Sequence, residues 1–366
     1  MKKIIAFILC LATAVWCVAC SPAEETTSPA PTSAPTATAE ATEAPATETP
    51  EPENLSFTTG LETDKDYKPF CIMVENSNAA RPQTGLQEAD IVYEAMAEGG
   101  ITRFLCIFND NYPVKVGPIR STRLYYVNIQ REWDAPLVHY GGPSDSSKPS
   151  NVYGADFDDI KLRIDGLKSA GAYGQYFWRD SERSAPNNVY TDVTELLNEY
   201  DYSPEPSTRW NFDASVSYEN GDTVSHVGIP FLSKDDSHTS FDYDASSDSW
   251  LRSSGGEPFQ VRTVTEDADG NQSTETAQMA VKNVIIQYVN TYTFENDEKG
   301  RRNVDVVGEG ECEYFIGGQH VSGYWVRESL SDCTKYYLED GETLVTLKPG
   351  NTWICMQPDS DTVSFS

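Results

Sequence analysis

IVYEAMAEGGITRFLCIF, residues 91–108, decides the fold class. Two apolar runs, 91–97 and 101–108, flank Gly99-Gly100, and glycines reach the left-handed backbone of a tight turn without steric cost, so the segment predicts a β-hairpin. Working outward, FCIMVE at 70–75 predicts a further strand. Residues 121–133 place Leu124, Tyr125, Val127 and Ile129 at helical spacing, and 135–140 (APLVHY) predicts a strand running into Gly141-Gly142. A second helix is predicted at 192–200, where Asp192 followed by Glu195 comes close to a capping box. The stretch after residue 55 therefore reads as a mixed α/β domain.

The pattern breaks at 203–206, and helical periodicity does not return. Turn signals at Asp269-Gly270-Asn271, Gly317-Gly318, Asp340-Gly341 and Pro349-Gly350 divide runs rich in Val, Ile, Tyr, Thr and Trp, at 281–294, 313–316, 324–327, 344–347 and 352–356. That is the signature of a mostly antiparallel β domain, a sandwich or a partly open barrel. About 310 residues exceed one small core, so the expectation is α+β overall, with a mixed α/β domain at 55–205 and a β-rich one at 206–366.

Ahead of both lies a different kind of sequence. Lys2 and Lys3 precede an apolar run from Ile4 to Ala19, too short to be a convincing membrane span, which predicts a signal peptide at 1–19. Val18-Ala19-Cys20-Ser21 resembles a lipobox, although Cys17 occupies a position where an aliphatic residue is usual. Cys20 would then carry the lipid and hold the protein to the bilayer on the extracytoplasmic face; simple cleavage and release is the alternative. Residues 21–54 hold seven Glu, no basic residue and little besides Ala, Thr, Pro and Ser. With nothing to bury, they predict a disordered tether of about 30–35 Å mean span.

The chain carries a net charge of −30; without Lys2 and Lys3 it is −32, and without the seven tether glutamates −25 remains on residues 55–366. Phosphate backbones and anionic headgroups are repelled by such a body, so nucleic acid is not an expected partner. Cys71, Cys106, Cys312, Cys333 and Cys355 remain once Cys10 and Cys17 leave with the signal and Cys20 is lipidated. An odd number leaves at least one free thiol, the pairing stays open, and no CxxC or Cys/His spacing suggests a structural zinc. No cofactor motif is present. Asp267, Asp269 and Asn271 around Gly270 lack the Glu that would close a calcium loop and read as a turn.

The blocks IMVENSNAARPQTGLQEADIVYEAMAEGGITRFLCIF, VGPIRSTRLYYVNIQREWDAPLVHYGG, WRDSERSAPNNVYTD, GEGECEYFIGGQHVSGYW and GNTWICMQP resemble the YerB-like bacterial lipoprotein family over essentially everything after the tether. The resemblance implies a two-domain extracytoplasmic lipoprotein of a kind common in Gram-positive bacteria. Because the family has no established biochemical activity, it supplies no catalytic residue.

Candidate chemistry must therefore come from the residues. Arg81, Arg103, Arg120, Arg123, Arg179 and Arg183 concentrate in the family-like blocks. Their planar donor forks suit a carboxylate or phosphate, while Glu75, Asp90, Glu94 and Glu98 in the same blocks suit structural ion pairs with them. His139 ends the 135–140 strand, where a crevice ligand would sit, and reads either as an acid/base with Glu94 or Glu98 or as a satisfied strand-end histidine. Ser144, Ser146 and Ser147 lie nearby, but no GxSxG elbow is present. Asn187 and Tyr190 offer an amide and a phenol to a polar ligand, or a turn into the following helix. Trp250, Tyr324, Trp325 and Trp353 are candidates for stacking on a sugar ring, or for core packing. Three readings follow: a binding or scaffold lipoprotein with an Arg-lined site for an anionic cell-wall ligand or a protein partner, an envelope hydrolase using His139 and a carboxylate, and a structural β-protein of envelope or spore assembly.

Overall fold

A computed structural model describes residues 54–142, 162–167, 174–231 and 238–366. Cys20, the tether to residue 53, and Ser144, Ser146 and Ser147 lie outside the described residues. The chain divides into units at 1–50 and 51–366, and the second contains everything that follows.

One large sheet organises this unit. Its strands in chain order are β1 (Phe70–Glu75), β2 (Ile91–Met96), β3 (Thr102–Phe108), β4 (Leu137–His139), β5 (Arg163–Asp165), β6 (Asp222–Thr223), β7 (Asn283–Val289), β8 (Gly308–Ile316), β9 (Gln319–Arg327), β10 (Lys335–Leu338) and β11 (Thr352–Pro358). The spatial order is β6-β9-β8-β7-β11-β2-β3-β1-β4-β5, with β10 also on β9. The predicted hairpin is β2–β3, paired Ile91↔Ile107 to Met96↔Thr102, with Gly99 and Gly100 at φ 74° and 73°. β8 and β9 form the Gly317-Gly318 hairpin.

Every residue of β1, β2 and β3 is buried, because both faces of the sheet are covered. Side chains alternate between faces. Phe70, Ile72, Val74, Phe104 and Trp353 join one apolar cluster, and Cys71, Met73, Leu105, Ile107 and Ile354 join the other. The second face is closed by helix α1 (Leu124–Arg131), which buries Tyr125, Tyr126, Val127 and Ile129. Against the first face stands a smaller sheet ordered 257–258, 249–254, 239–244, 226–229, 364–365, whose Phe241 and Trp250 pack on Trp353 and Phe315 at ring separations of 6.0 and 5.8 Å. Helix α2 (Val193–Glu199) begins where expected: the Asp192 carboxylate accepts the backbone N–H groups of Thr194 and Glu195.

The two halves of the sequence meet inside the large sheet. β11 lies between β7 and β2 and runs parallel to both, from Asn283↔Thr352 to Val289↔Pro358 on one side and from Ile91↔Thr352 to Ala95↔Met356 on the other. The C-terminal half is mostly β, as read, and its pairings are mostly antiparallel, with β11 as a parallel insertion that the reading did not include. In the N-terminal half the two helices read from periodicity, at 121–133 and 192–200, are present but shorter. Among the described residues its two α-helices span eight and seven residues, and its α/β character resides in the parallel β1–β4–β5 pairing.

Candidate functional site

β1, β4 and β5 are parallel neighbours, so Glu75, His139 and Asp165 end at one edge of the sheet. Glu75 is almost wholly buried there and gathers two arginines: Arg120 Nε donates to its Oε2 at 2.6 Å, and Arg103 Nη2 lies 3.4 Å from the same oxygen. Its Oε1 accepts the backbone N–H groups of Asn76 and Ser77. Burial opposes the charge of Glu75, but Arg103, with Arg120, outweighs it and holds the carboxyl below its ordinary value.

Arg120 is the arginine of this group that combines a fixed position with access. Its side chain is 30 % exposed. Its Nε is committed to Glu75, and among the described residues neither terminal nitrogen makes a hydrogen bond. Arg103 is buried and also donates to Ser121 O. Arg123 is locked to Glu98 by two parallel bonds, Nε to Oε1 and Nη2 to Oε2. Arg183 donates to the backbone oxygens of Arg81 and Pro82 at 3.0 and 2.7 Å. Arg81 Nε donates to Asn76 Oδ1, with its guanidinium over the Phe259 ring. Arg179 is exposed, bonds Asn188 Oδ1, and lies 5.3 Å from the Tyr140 ring centroid. Tyr140 N donates to Arg120 O, which brings Arg179 and Arg120 to one neighbourhood. The structure thus gathers Arg81, Arg103, Arg120, Arg179 and Arg183 around the ends of β1 and β4, most of them with structural partners.

Asn187 sits in a turn, its N–H donating to Ser184 O. Tyr190 is a packing residue, stacked on Trp178 at 6.5 Å with Lys115 Nζ 4.9 Å from its ring, and burial raises its phenol above the ordinary value.

The three acid/base candidates do not converge. His139 is fully buried; its Nδ1 is 2.7 Å from Gly141 O, and Arg163 Nε donates to its Nε2 at 3.1 Å. Both ring nitrogens are thus engaged, Nε2 as the acceptor of the Arg163 N–H. Glu94 on β2 lies three strand spacings from β4 in the order β2-β3-β1-β4, about 14 Å. It accepts Thr102 Oγ1 (2.6 Å), Thr239 Oγ1 (3.2 Å), Arg252 Nη2 (3.0 and 3.1 Å) and Trp353 Nε1 (2.9 Å). Glu98 belongs to Arg123. The hydrolase reading finds no support in this geometry.

Sequence reasoning missed Arg252, which is fully buried and packed 4.0 Å from the Phe259 ring centroid and 4.8 Å from that of Trp353. Nothing in SWLRSS marks it, because its carboxylate partner lies 158 residues away. A chain of hydrogen bonds joins it to the rim: Arg81 to Asn76, Asn76 to Thr102, Thr102 to Glu94, Glu94 to Arg252. Trp250, Trp325 and Trp353 are core residues, whereas Tyr324 is exposed. Cys71, Cys106, Cys312, Cys333 and Cys355 are all free thiols, and all but Cys333 are buried.

Among the described residues no cluster of His, Cys, Asp or Glu is placed to hold a metal ion, and no helix is long and apolar enough to cross a membrane. Comparison with known proteins adds a consistent picture. Residues 58–205 match the family described as the DUF3048 N-terminal domain, a protein of unknown function, and residues 227–354 match the corresponding C-terminal domain. YerB of Bacillus subtilis strain 168, which carries the name of a lipoprotein, is 29 % identical over 315 residues, covering 84 % of this chain and 87 % of that protein. The crystal structure of B. subtilis YerB superposes with a TM-score of 0.67 at 27 % identity, over 86 % of this chain and all of the other.

Proposed function

Because the chain belongs to the two-domain DUF3048 family, in which YerB is named a lipoprotein, we propose that it is a membrane-anchored extracytoplasmic lipoprotein that binds rather than transforms its ligand. Cys20 and the acidic tether hold the body on the outer face of the membrane, and Arg120 receives an anionic group from the cell envelope. The observation that carries this reading is the division of labour within Arg120: Nε is fixed by buried Glu75, while the terminal nitrogens stay uncommitted on a partly exposed side chain. A guanidinium held in this way loses little further freedom on meeting a carboxylate or phosphate, and its fork matches either bidentately. Arg179 beside Tyr140 adds a second exposed cation.

A thermal-shift series tests this, using soluble wall fragments and sugar phosphates with the wild-type protein and the Arg120→Ala and Arg179→Ala variants. A ligand present at a hundred times its Kd stabilises the folded state by about 2.7 kcal/mol. An anionic probe is expected to raise the wild-type melting temperature and to lose most of that effect in Arg120→Ala. If every probe leaves the wild type unmoved, or if the shift survives in Arg120→Ala, the anion-binding reading is wrong.

A further inference from the structure

β7 and β8 pair from Asn283↔Ile316 to Gln287↔Cys312, and there the ladder stops, although β7 continues to Val289 and β8 starts four residues earlier at Gly308. Trp325 separates them. It lies opposite Gly310 on β9, and its indole N–H donates at 2.8 Å to Tyr288 O, a carbonyl of the first missing rung. A Cβ at position 310 would stand 2.5 Å from that indole nitrogen, so only glycine lets the ring cross. Residues 308–311 therefore keep β9 on one side and, among the described residues, have no ladder-paired strand on the other, where the Trp325 indole and Tyr288 O stand over Gly310. That open edge borders a cleft of about 440 Å³, lined by Tyr288, Trp325, Asp305 and Asp359 among others.

We propose that this cleft takes an extended peptide segment bearing lysine or arginine at alternate positions, added as a strand on the 308–311 edge. An unpaired edge supplies backbone donors and acceptors in the spacing another strand needs, and burial in a cleft strengthens each bond relative to one made in water. Among the described residues the outer edge of strand 272–278 is also open, but its residues are almost all exposed. Charge selects the occupant: Glu309 and Glu311 alternate on the open edge, and Asp305 and Asp359 line the same cleft, whereas Glu313, next on that face, lies within the paired ladder and is taken by His320 and Ser322. Side chains two residues apart on a paired strand share that repeat of about 7 Å, so cations at alternate positions meet the glutamates in register.

The test uses the full chain and an acetylated, amidated, fluorescently labelled peptide Lys-Val-Lys-Val-Lys, read by anisotropy. The form methylated at every backbone nitrogen and the Glu-Val-Glu-Val-Glu form are controls, as is the Glu309→Lys/Glu311→Lys protein, whose changes fall on exposed side chains. The lysine peptide is expected to bind. Removing its backbone donors, or reversing the two protein charges, should each weaken it about tenfold or more, the worth of one to two hydrogen bonds or close charge pairs. Equal binding of the parent and N-methylated peptides would reduce the contact to general attraction by an acidic protein and overturn the added-strand proposal. Undiminished binding to the charge-reversed protein would place the peptide elsewhere and overturn it equally.

Discussion

Glu94 and Glu98 stand four positions apart, both offer a carboxylate to acid/base chemistry, and the fold spends them differently. Glu98 meets Arg123 near the surface, where removing the charge by Glu98→Gln should cost about 1 kcal/mol or less. Glu94 and Arg252 are both fully buried, and Arg252 Nε and Nη1 make no hydrogen bond among the described residues, the guanidinium lying against the Phe259 and Trp353 rings. Glu94→Gln leaves that guanidinium uncompensated and should cost about 3–5 kcal/mol in a urea titration. Replacing both residues, as Glu94→Gln with Arg252→Met, removes the charge of the pair while keeping an acceptor for Thr102, Thr239 and Trp353 and should recover much of the loss; if the double variant is as weak as the single one, uncompensated charge is not the cause. Asp90 makes a prediction in pH. Burial, then the neighbouring Asp110 charge, push its carboxyl up to about 8, against the donors Thr58, Asn109 and Asp110 N–H that favour the anion. A carboxyl with a raised folded pKa binds its proton more tightly in the native state, so its contribution is full below about pH 4 and is lost as pH rises to about 8. Asp90→Asn keeps an acceptor for Thr58 and should flatten the fall in melting temperature between those limits. An unchanged slope would show that other groups set it.

Among the elements, those built from neighbours in sequence were legible and those built from distant residues were not. The β2–β3 hairpin, the Gly317-Gly318 hairpin and the helices α1 and α2 follow from turn chemistry and periodicity within about fifteen residues. α2 is the clearest, since Asp192 announces its first turn. Losing that cap in Asp192→Ala should cost about 1 kcal/mol in thermal unfolding, while Asp192→Asn, which retains an accepting oxygen, should cost less. β11 was read as a strand from TWICM, but its neighbours were not, because the pairing of Thr352 with Ile91 spans most of the chain and no local pattern encodes it. The candidate site divides in the same way. Its arginines were visible as a concentration of one residue type, whereas their division into locked and available members depends on Glu75, Asn76 and Asn188 standing where only the fold puts them. His139 showed the cost of local inference: its strand end was placed correctly, yet Arg163 from the adjacent strand occupies the nitrogen a base would need.

At the scale of the molecule, the sequence division near residue 205 is not a division of the core. β11 from the C-terminal half supplies the neighbour on which β2 of the N-terminal half depends, and Trp353 upon it is fully buried between Phe104 and Phe241. Burying one such indole of about 200 Å² removes roughly 5 kcal/mol worth of apolar contact with water, comparable with the whole stability of a modest domain. Separating the halves would also expose one edge each of β2 and β11, both apolar strands, and leave Glu94 without Arg252, Thr239 and Trp353. The described body is therefore expected to unfold in a single transition, with calorimetric and van't Hoff enthalpies in agreement, and residues 1–205 or 206–366 produced alone should lack fixed tertiary structure by near-ultraviolet circular dichroism. Two resolved transitions, or a half that keeps its aromatic signal in isolation, would show that each half carries a sufficient core and that the β2–β11 pairing joins finished domains.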